Sequence, residues 1–305
     1  MQSVQIVLNR KRKIGDREMA VNVIVKQKGI FGKNITIEDI VGDDLSYGIM
    51  DDNYRLKQGE QGEYMVVYDS RHLGRGMEVS FEKKDVNLRL PLPNSEEDIR
   101  LFYQTVERVC RGQGVHSFYR DGEKIGLGDF ENLIQLDMDA STGALESMER
   151  GMKKGEYSNM IVFAIQNPIY VEMKDLEQMK GADNCYDLKK FGEFLEWHQR
   201  MNVYYAAPLL YQKKDGTVFG VYAISVDVPS VVPSIPKLLA VGDNELKVEE
   251  WYVALVIAQG NVKSVKYQDF IEFAGERERY DAENIIVTFS SEEMKELADK
   301  FEVEI

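Results

Sequence analysis

The residues able to do chemistry are few and widely spaced. Histidine occurs three times, at His72, His116 and His198, and cysteine twice, at Cys110 and Cys185. No two histidines are close in sequence, and no HExxH pair at helical spacing exists to hold zinc. No GxSxG elbow presents a nucleophilic serine. Gly29–Lys33 (GIFGK) has elements of a phosphate loop, but the GxxxxGK spacing fails and Asn34 stands where Ser or Thr would meet magnesium. Asp137-Met138-Asp139-Ala140-Ser141 is the nearest approach to a calcium loop. Such a loop needs glycine at its sixth place and glutamate at its twelfth; here Thr142 and Met148 stand there, with Gly143 and Glu149 each one residue late. The segment reads as the start of a helix. No metal site and no cofactor is expected from these patterns, and they leave the catalytic residues unknown.

Basic chemistry is concentrated between Asp69 and Gly76 (DSRHLGRG). Arg71, His72 and Arg75 stand among glycines in an acidic chain, and a loop of this kind can hold an anion. They are the candidate ligand-binding residues. The plainer alternative is a glycine-rich hairpin connection carrying exposed basic side chains. Trp197, Tyr204, Tyr205, Tyr211, Phe219, Tyr222, Trp251 and Tyr252 give the second half of the chain a pocket lining or, more often for such residues, a core or a protein interface.

Elements must position that loop, and those beside it are the most legible in the chain. Glu63–Tyr68 reads as a strand before it and Met77–Phe81 as one after it. Val86, Leu88, Leu90 and Leu92 then alternate with polar residues, and Pro91 and Pro93 end the strand or place it at an edge. Ser95 is a good N-cap. Asp98 follows at N3, where a short acid partly replaces the usual Glu or Gln of a capping box. Glu96, Glu97 and Asp98 put negative charge on the first helical turn, where the helix dipole favours it. Ile99, Phe102, Tyr103, Val106, Val109 and Cys110 form the apolar stripe, and Gly112 or Gly114 supplies the exit. The whole stretch is scaffold, packing beneath the Arg71–Gly76 loop.

Elsewhere strands are expected at Val4–Leu8, Ala20–Lys28, Val115–Arg120, Ile161–Ile165 and Ile285–Phe289, and near Trp251 within Leu246–Ile257. Helices are expected at Asn34–Val41, from about Asp139 or Ser141 to Lys154, at Asp187–Met201, and at Glu292–Phe301 behind Ser290 and Ser291. Phe130–Met138 is a short helix or strand, and Leu45–Leu56 reads as irregular. A hairpin is expected across Lys213–Gly216. This order lacks the regular alternation of a doubly wound sheet, so the fold class is α+β, with mostly antiparallel sheets, packed helices and two related or adjacent subdomains. The glycines between Gly122 and Gly128 mark the boundary, dividing the chain into 1–125 and 126–305. A weak echo of strand and proline between Val86–Val109 and Val221–Leu239 is too poor to count as a repeat.

Composition sets further limits. The chain has 305 residues, 44% hydrophobic and 30% charged, ordinary globular proportions. A net charge of −14 argues against a general binder of nucleic acid or anionic membrane, and is compatible with a basic partner. The basic run Arg10–Lys13 reads as a hairpin turn before Gly15 and Asp16. Two cysteines do not make a disulfide framework. No apolar segment follows a basic start and no apolar run reaches membrane-spanning length, so a cytoplasmic location is expected.

Tyr68–Phe81 (YDSRHLGRGMEVSF) together with Leu88–Tyr103 (LRLPLPNSEEDIRLFY) resembles an uncharacterised family of bacterial cytosolic proteins, known mainly from Gram-positive and gut bacteria and classed as a domain of unknown function. The resemblance implies a bacterial source and a soluble protein. It supplies no site residues. Without a complete catalytic motif, the leading expectation is a non-enzymatic accessory or regulatory protein that binds another protein or itself. The alternative is an enzyme or small-ligand binder with an anion site near Arg71, His72 and Arg75; enzymatic activity stays open.

Overall fold

The computed structural model describes residues 4–6, 19–27, 34–51, 54–238 and 247–305. The basic run Arg10–Lys13, the Gly29–Lys33 string, and the expected strand ends at Leu8, Lys28 and Leu246 lie outside these residues. The chain forms two compact units: Ile14–Arg200, and Met201–Ile305 together with Met1–Lys13. The expected boundary at Gly122–Gly128 falls within the first. There Asp121 and Gly122 turn strand Ser117–Arg120 into strand Glu123–Gly126.

The larger unit is built on an eight-stranded, wholly antiparallel sheet. Its spatial order is Leu56–Gln58, Ser46–Met50, Tyr64–Tyr68, Met77–Glu82, Asp85–Pro91, Ala20–Val25, Ser117–Arg120 and Glu123–Gly126. Alternation decides which face is buried. Val21, Val23 and Val25 meet Val86, Leu88 and Leu90 in register, and all six are buried. The helix Glu96–Gln113 lays Ile99, Phe102, Val106 and Val109 into the core they share. Ser95 Oγ accepts the Asp98 N–H, and Gly114 leaves the helix in the left-handed region. Strand Asp85–Pro91 is interior, with neighbours on both sides; its prolines end it without placing it at an edge.

Two expectations are corrected and one element is added. Ser46–Met50 is a strand, not irregular chain. The aspartates around it obscure the pattern, and the sheet supplies the pairing: a Cβ at Gly48 would lie 2.4 Å from the Lys57 carbonyl on the next strand. Phe130–Lys153 is one continuous helix, so it starts well before Asp139. Glu172 caps a further short helix, Met173–Gln178, which the periodicity does not reveal. Strands Asn159–Phe163 and Pro168–Glu172 pair as a hairpin, and helix Leu188–Arg200 buries Leu188, Phe191, Leu195 and His198.

The smaller unit has two sheets. The five-stranded one runs Val4–Ile6, Leu209–Gln212, Val218–Ser225, Glu250–Ala258 and Asn261–Lys266, with the third and fourth strands parallel. The four-stranded one runs Tyr204–Tyr205, Ser230–Pro233, Asn284–Val287 and Glu278–Arg279. Helices Tyr267–Ala274 and Ser291–Phe301 share a core with Tyr222, Val253 and Phe289. The Val221–Leu239 echo has no structural counterpart: strand leads to helix after Val86, but to a second strand, Ser230–Pro233, after Val221. The fold is α+β with mostly antiparallel sheets. Among the described residues, no helix is long and apolar enough to cross a membrane.

Candidate functional site

The three basic residues of the Asp69–Gly76 loop have three different environments. Arg71 is exposed and paired with Asp69, its Nε and Nη2 donating to that carboxylate at 2.7–3.1 Å. The Asp69 carboxyl is held below its ordinary range, chiefly by this bond. Arg75 is buried. Its Nε donates to the Phe163 carbonyl at 3.0 Å and its Nη1 to the Pro93 carbonyl at 2.8 Å. Its guanidinium thus ties the loop to the strands and turn around it. His72 is exposed and lines a cleft.

The loop's backbone donors are taken by a carboxyl group of the chain itself. Asp98 Oδ2 accepts the backbone N–H of Arg75 at 2.7 Å and that of Gly76 at 3.0 Å. A capping box would send this carboxylate back to the Ser95 N–H. The Asn94 side chain takes that N–H instead, at 2.9 Å. Asp98 is fully enclosed, and burial pushes its carboxyl up to about 6 against the pull of the two N–H donors and the Arg75 charge. Space for the carboxylate exists because residue 74 is glycine; a Cβ there would lie 2.3 Å from Oδ2.

The cleft beside the loop has a volume of about 190 Å³. The loop supplies His72, Leu73 and Gly74. The start of helix Glu96–Gln113 supplies Ser95 and Glu97, and helix Leu188–Arg200 supplies Lys189, Gly192, Glu193 and Glu196. The last four recur at i, i+3, i+4 and i+7, one solvent-facing row of an amphipathic helix. Arg200 closes one end: its Nε donates to Glu196 at 2.6 Å and its Nη2 to the Arg71 carbonyl at 2.7 Å. Glu97 and Glu193 pair with no cation among the described residues, so the cleft keeps an acidic balance beside His72 and Lys189.

Of the sequence candidates, only His72 reaches this cleft. Arg71 and Arg75 are turned to Asp69 and to backbone carbonyls. The row from Lys189 to Glu196 was legible as the polar side of a helix, but no local signal places it opposite residues 72–74. The second-half aromatics Phe219, Tyr222 and Tyr252 are buried core residues, and Trp197 is 54% exposed. His198 is buried, with Nδ1 2.9 Å from the Phe194 carbonyl, and His116 is exposed. Asp137 sits inside its helix rather than at the start, accepting from Tyr103 Oη and Arg120 Nη2. Among the described residues, no group of three or more His, Cys, Asp or Glu side chains is placed to hold a metal ion.

No curated protein and no solved structure matches the chain. The stretches that carry the loop, its carboxylate and both helices of the cleft all fall within one family match, covering residues 18–297, and the chain belongs to that family, the domain of unknown function DUF4299.

Proposed function

We propose that this is a bacterial cytoplasmic protein of the non-enzymatic, accessory kind, and that it binds a basic segment of another protein at the cleft beside His72. One observation carries the reading: Glu97 and Glu193 line a concave site with no cation paired to them among the described residues. A Lys or Arg side chain entering there would supply the missing charge, and because both carboxylates are exposed the attraction should be of the screened, salt-dependent kind. The net charge of −14 favours encounter with a basic partner. Two unpaired cysteines fit a reducing compartment, and the Tyr68–Phe81 and Leu88–Tyr103 motifs support the bacterial source.

The anion-site alternative has less support, since Arg71 and Arg75 spend their donors within the chain. His72 and Lys189 are what it would have to use. The test is an NMR titration of the full chain with an Arg- and Lys-rich peptide, and separately with inorganic phosphate. The peptide should shift the Gly74 and Gly192 amides. Glu97→Gln with Glu193→Gln should weaken it at least about tenfold, more so at low salt. Equal binding by the double variant, or shifts with phosphate alone, would sink the proposal.

A further inference from the structure

The five-stranded sheet of the smaller unit ends on strand Asn261–Lys266, and the segment that follows helix Ser291–Phe301 folds round that edge. Its Val303 N–H donates to the Ser264 carbonyl at 2.8 Å. Glu302 stands opposite Val265 in an antiparallel bridge, and its carboxylate accepts from Lys263 Nζ at 2.8 Å. Val303 and Ile305 pack with Phe219, Val221 and Tyr252, on the face of the sheet opposite helices Tyr267–Ala274 and Ser291–Phe301. The segment thus lies along the edge as a short added strand. Its acids, Glu302 and Glu304, alternate with its apolar residues, Val303 and Ile305.

The edge offers more than this segment takes. In an antiparallel ladder, successive residues point their backbone groups alternately to the two sides. The Ser264 carbonyl faces the segment, so Val262 and Ser264 turn both N–H and C=O away from strand Glu250–Ala258. Beyond the Val303 bond, no backbone partner meets either residue on that side among the described residues. In the register set by Glu302 and Val265, Glu304 falls opposite Lys263 and Ile305 opposite Val262, which is still 52% exposed.

We propose that the outer edge of strand Asn261–Lys266 is a docking site for an extended segment of a partner protein that alternates acidic and apolar residues, and that such a segment displaces the chain's own Glu302–Ile305. The resident segment displays the chemistry that fits. Its apolar side chains cover the Phe219 and Tyr252 face, and its acid meets Lys263. Lysines on an edge strand keep unrelated strands away, and an acid across from them turns that barrier into a selective contact. Lys263 and Lys266 place two such charges on this edge. A longer strand adds the bonds to Val262 and Ser264 that the resident leaves unmade, so it gains more than it displaces. The site belongs to the smaller unit and does not rest on the reading of the cleft beside His72.

The test is an NMR titration of the full chain with a synthetic peptide alternating Glu with Val, and separately with one alternating Lys with Val. The acidic peptide should shift the Val262 and Ser264 amides, and the basic one should not. Val303→Pro removes the resident segment's donor, so the acidic peptide should bind that variant at least about fivefold more tightly. Val262→Pro removes an N–H that faces outward in the free chain, where an edge strand tolerates proline, and should weaken binding at least about fivefold. Lys263→Glu should reverse the preference between the two peptides. The proposal is overturned if the acidic peptide shifts neither amide in the wild type and in Val303→Pro, if the two peptides bind equally, or if binding survives Val262→Pro unchanged. Dimerisation of Val303→Pro without peptide, read by sedimentation, would also overturn it, by giving the edge to a second copy of the chain. If Val262→Pro does not fold, Lys263→Glu decides: an unreversed preference sinks the proposal.

Discussion

Asp98 and Asp137 are two buried carboxylates in one unit, and they are held by different kinds of partner. Asp137 is gripped by side chains: Tyr103 from helix Glu96–Gln113 and Arg120 from strand Ser117–Arg120. Asp98 is gripped by the backbone of a loop. Burial raises both carboxyls above the ordinary range, and the neighbours resist that rise in both cases. The difference lies in what is lost when the acid is removed. Without Asp137, a largely buried guanidinium loses its counter-charge. Without the charge of Asp98, two amide donors need only a neutral oxygen. The first is a structural ion pair and the second an adjustable contact.

That contrast is easiest to break at Asp137. Asp137→Ala leaves Arg120 and Tyr103 Oη without their acceptor inside the unit, and removing one member of a buried pair costs about 3–5 kcal/mol. Urea unfolding monitored by fluorescence should show this loss. A cost below about 1 kcal/mol would make the pair a surface-like one.

Asp98→Asn comes next and should act through pH more than through overall stability. The folded-state carboxyl lies at about 6 against 3.8. A raised value means that the stabilising form is the protonated one, fully present below the ordinary range and lost as pH rises through about 6. Between about pH 4 and about pH 7, the wild type should lose on the order of 3 kcal/mol relative to Asp98→Asn. Parallel stability curves for the two proteins across that window would remove the distinction from Asp137.

Smaller effects sharpen the local picture. Ser95→Ala removes the oxygen that accepts the Asp98 N–H, and an N-cap loss of this kind costs about 1 kcal/mol in thermal or urea unfolding. Arg71→Ala should lower the melting temperature only slightly, because Arg71 itself is exposed and the buried Asp69 carboxylate keeps the Arg71 backbone N–H as a donor. A clear drop would show that the loop's outer face also carries load.

The neighbourhood of Leu88–Gly114 was largely legible because its signals are local. Alternation set the strand, Ser95 set the helix start, and three- and four-residue spacing set the stripe. Ser46–Met50 was not, because a short strand flanked by aspartates is defined by its neighbours' hydrogen bonds rather than by its own composition. The continuous helix Phe130–Lys153 was split for a related reason. Asp137, Asp139 and Ser141 look like cap residues, yet Asp137 and Ser141 are buried side chains that meet Tyr103, Arg120 and the Asn94 N–H.

The sequence by itself determined the α+β class, most of the element order and the concentration of basic residues between Asp69 and Gly76. Those properties follow from periodicity, capping and charge, each readable over a few residues. Only the tertiary structure decided what the basic residues do. Arg71 and Arg75 find partners inside the unit, His72 shares a cleft with Lys189, Glu193 and Glu196 of a distant helix, and the loop's two N–H groups close on Asp98. Such pairings depend on which segments the sheet and helices bring within about 3 Å of one another, and hydrogen-bond geometry at that range has no signature in spacing along the chain.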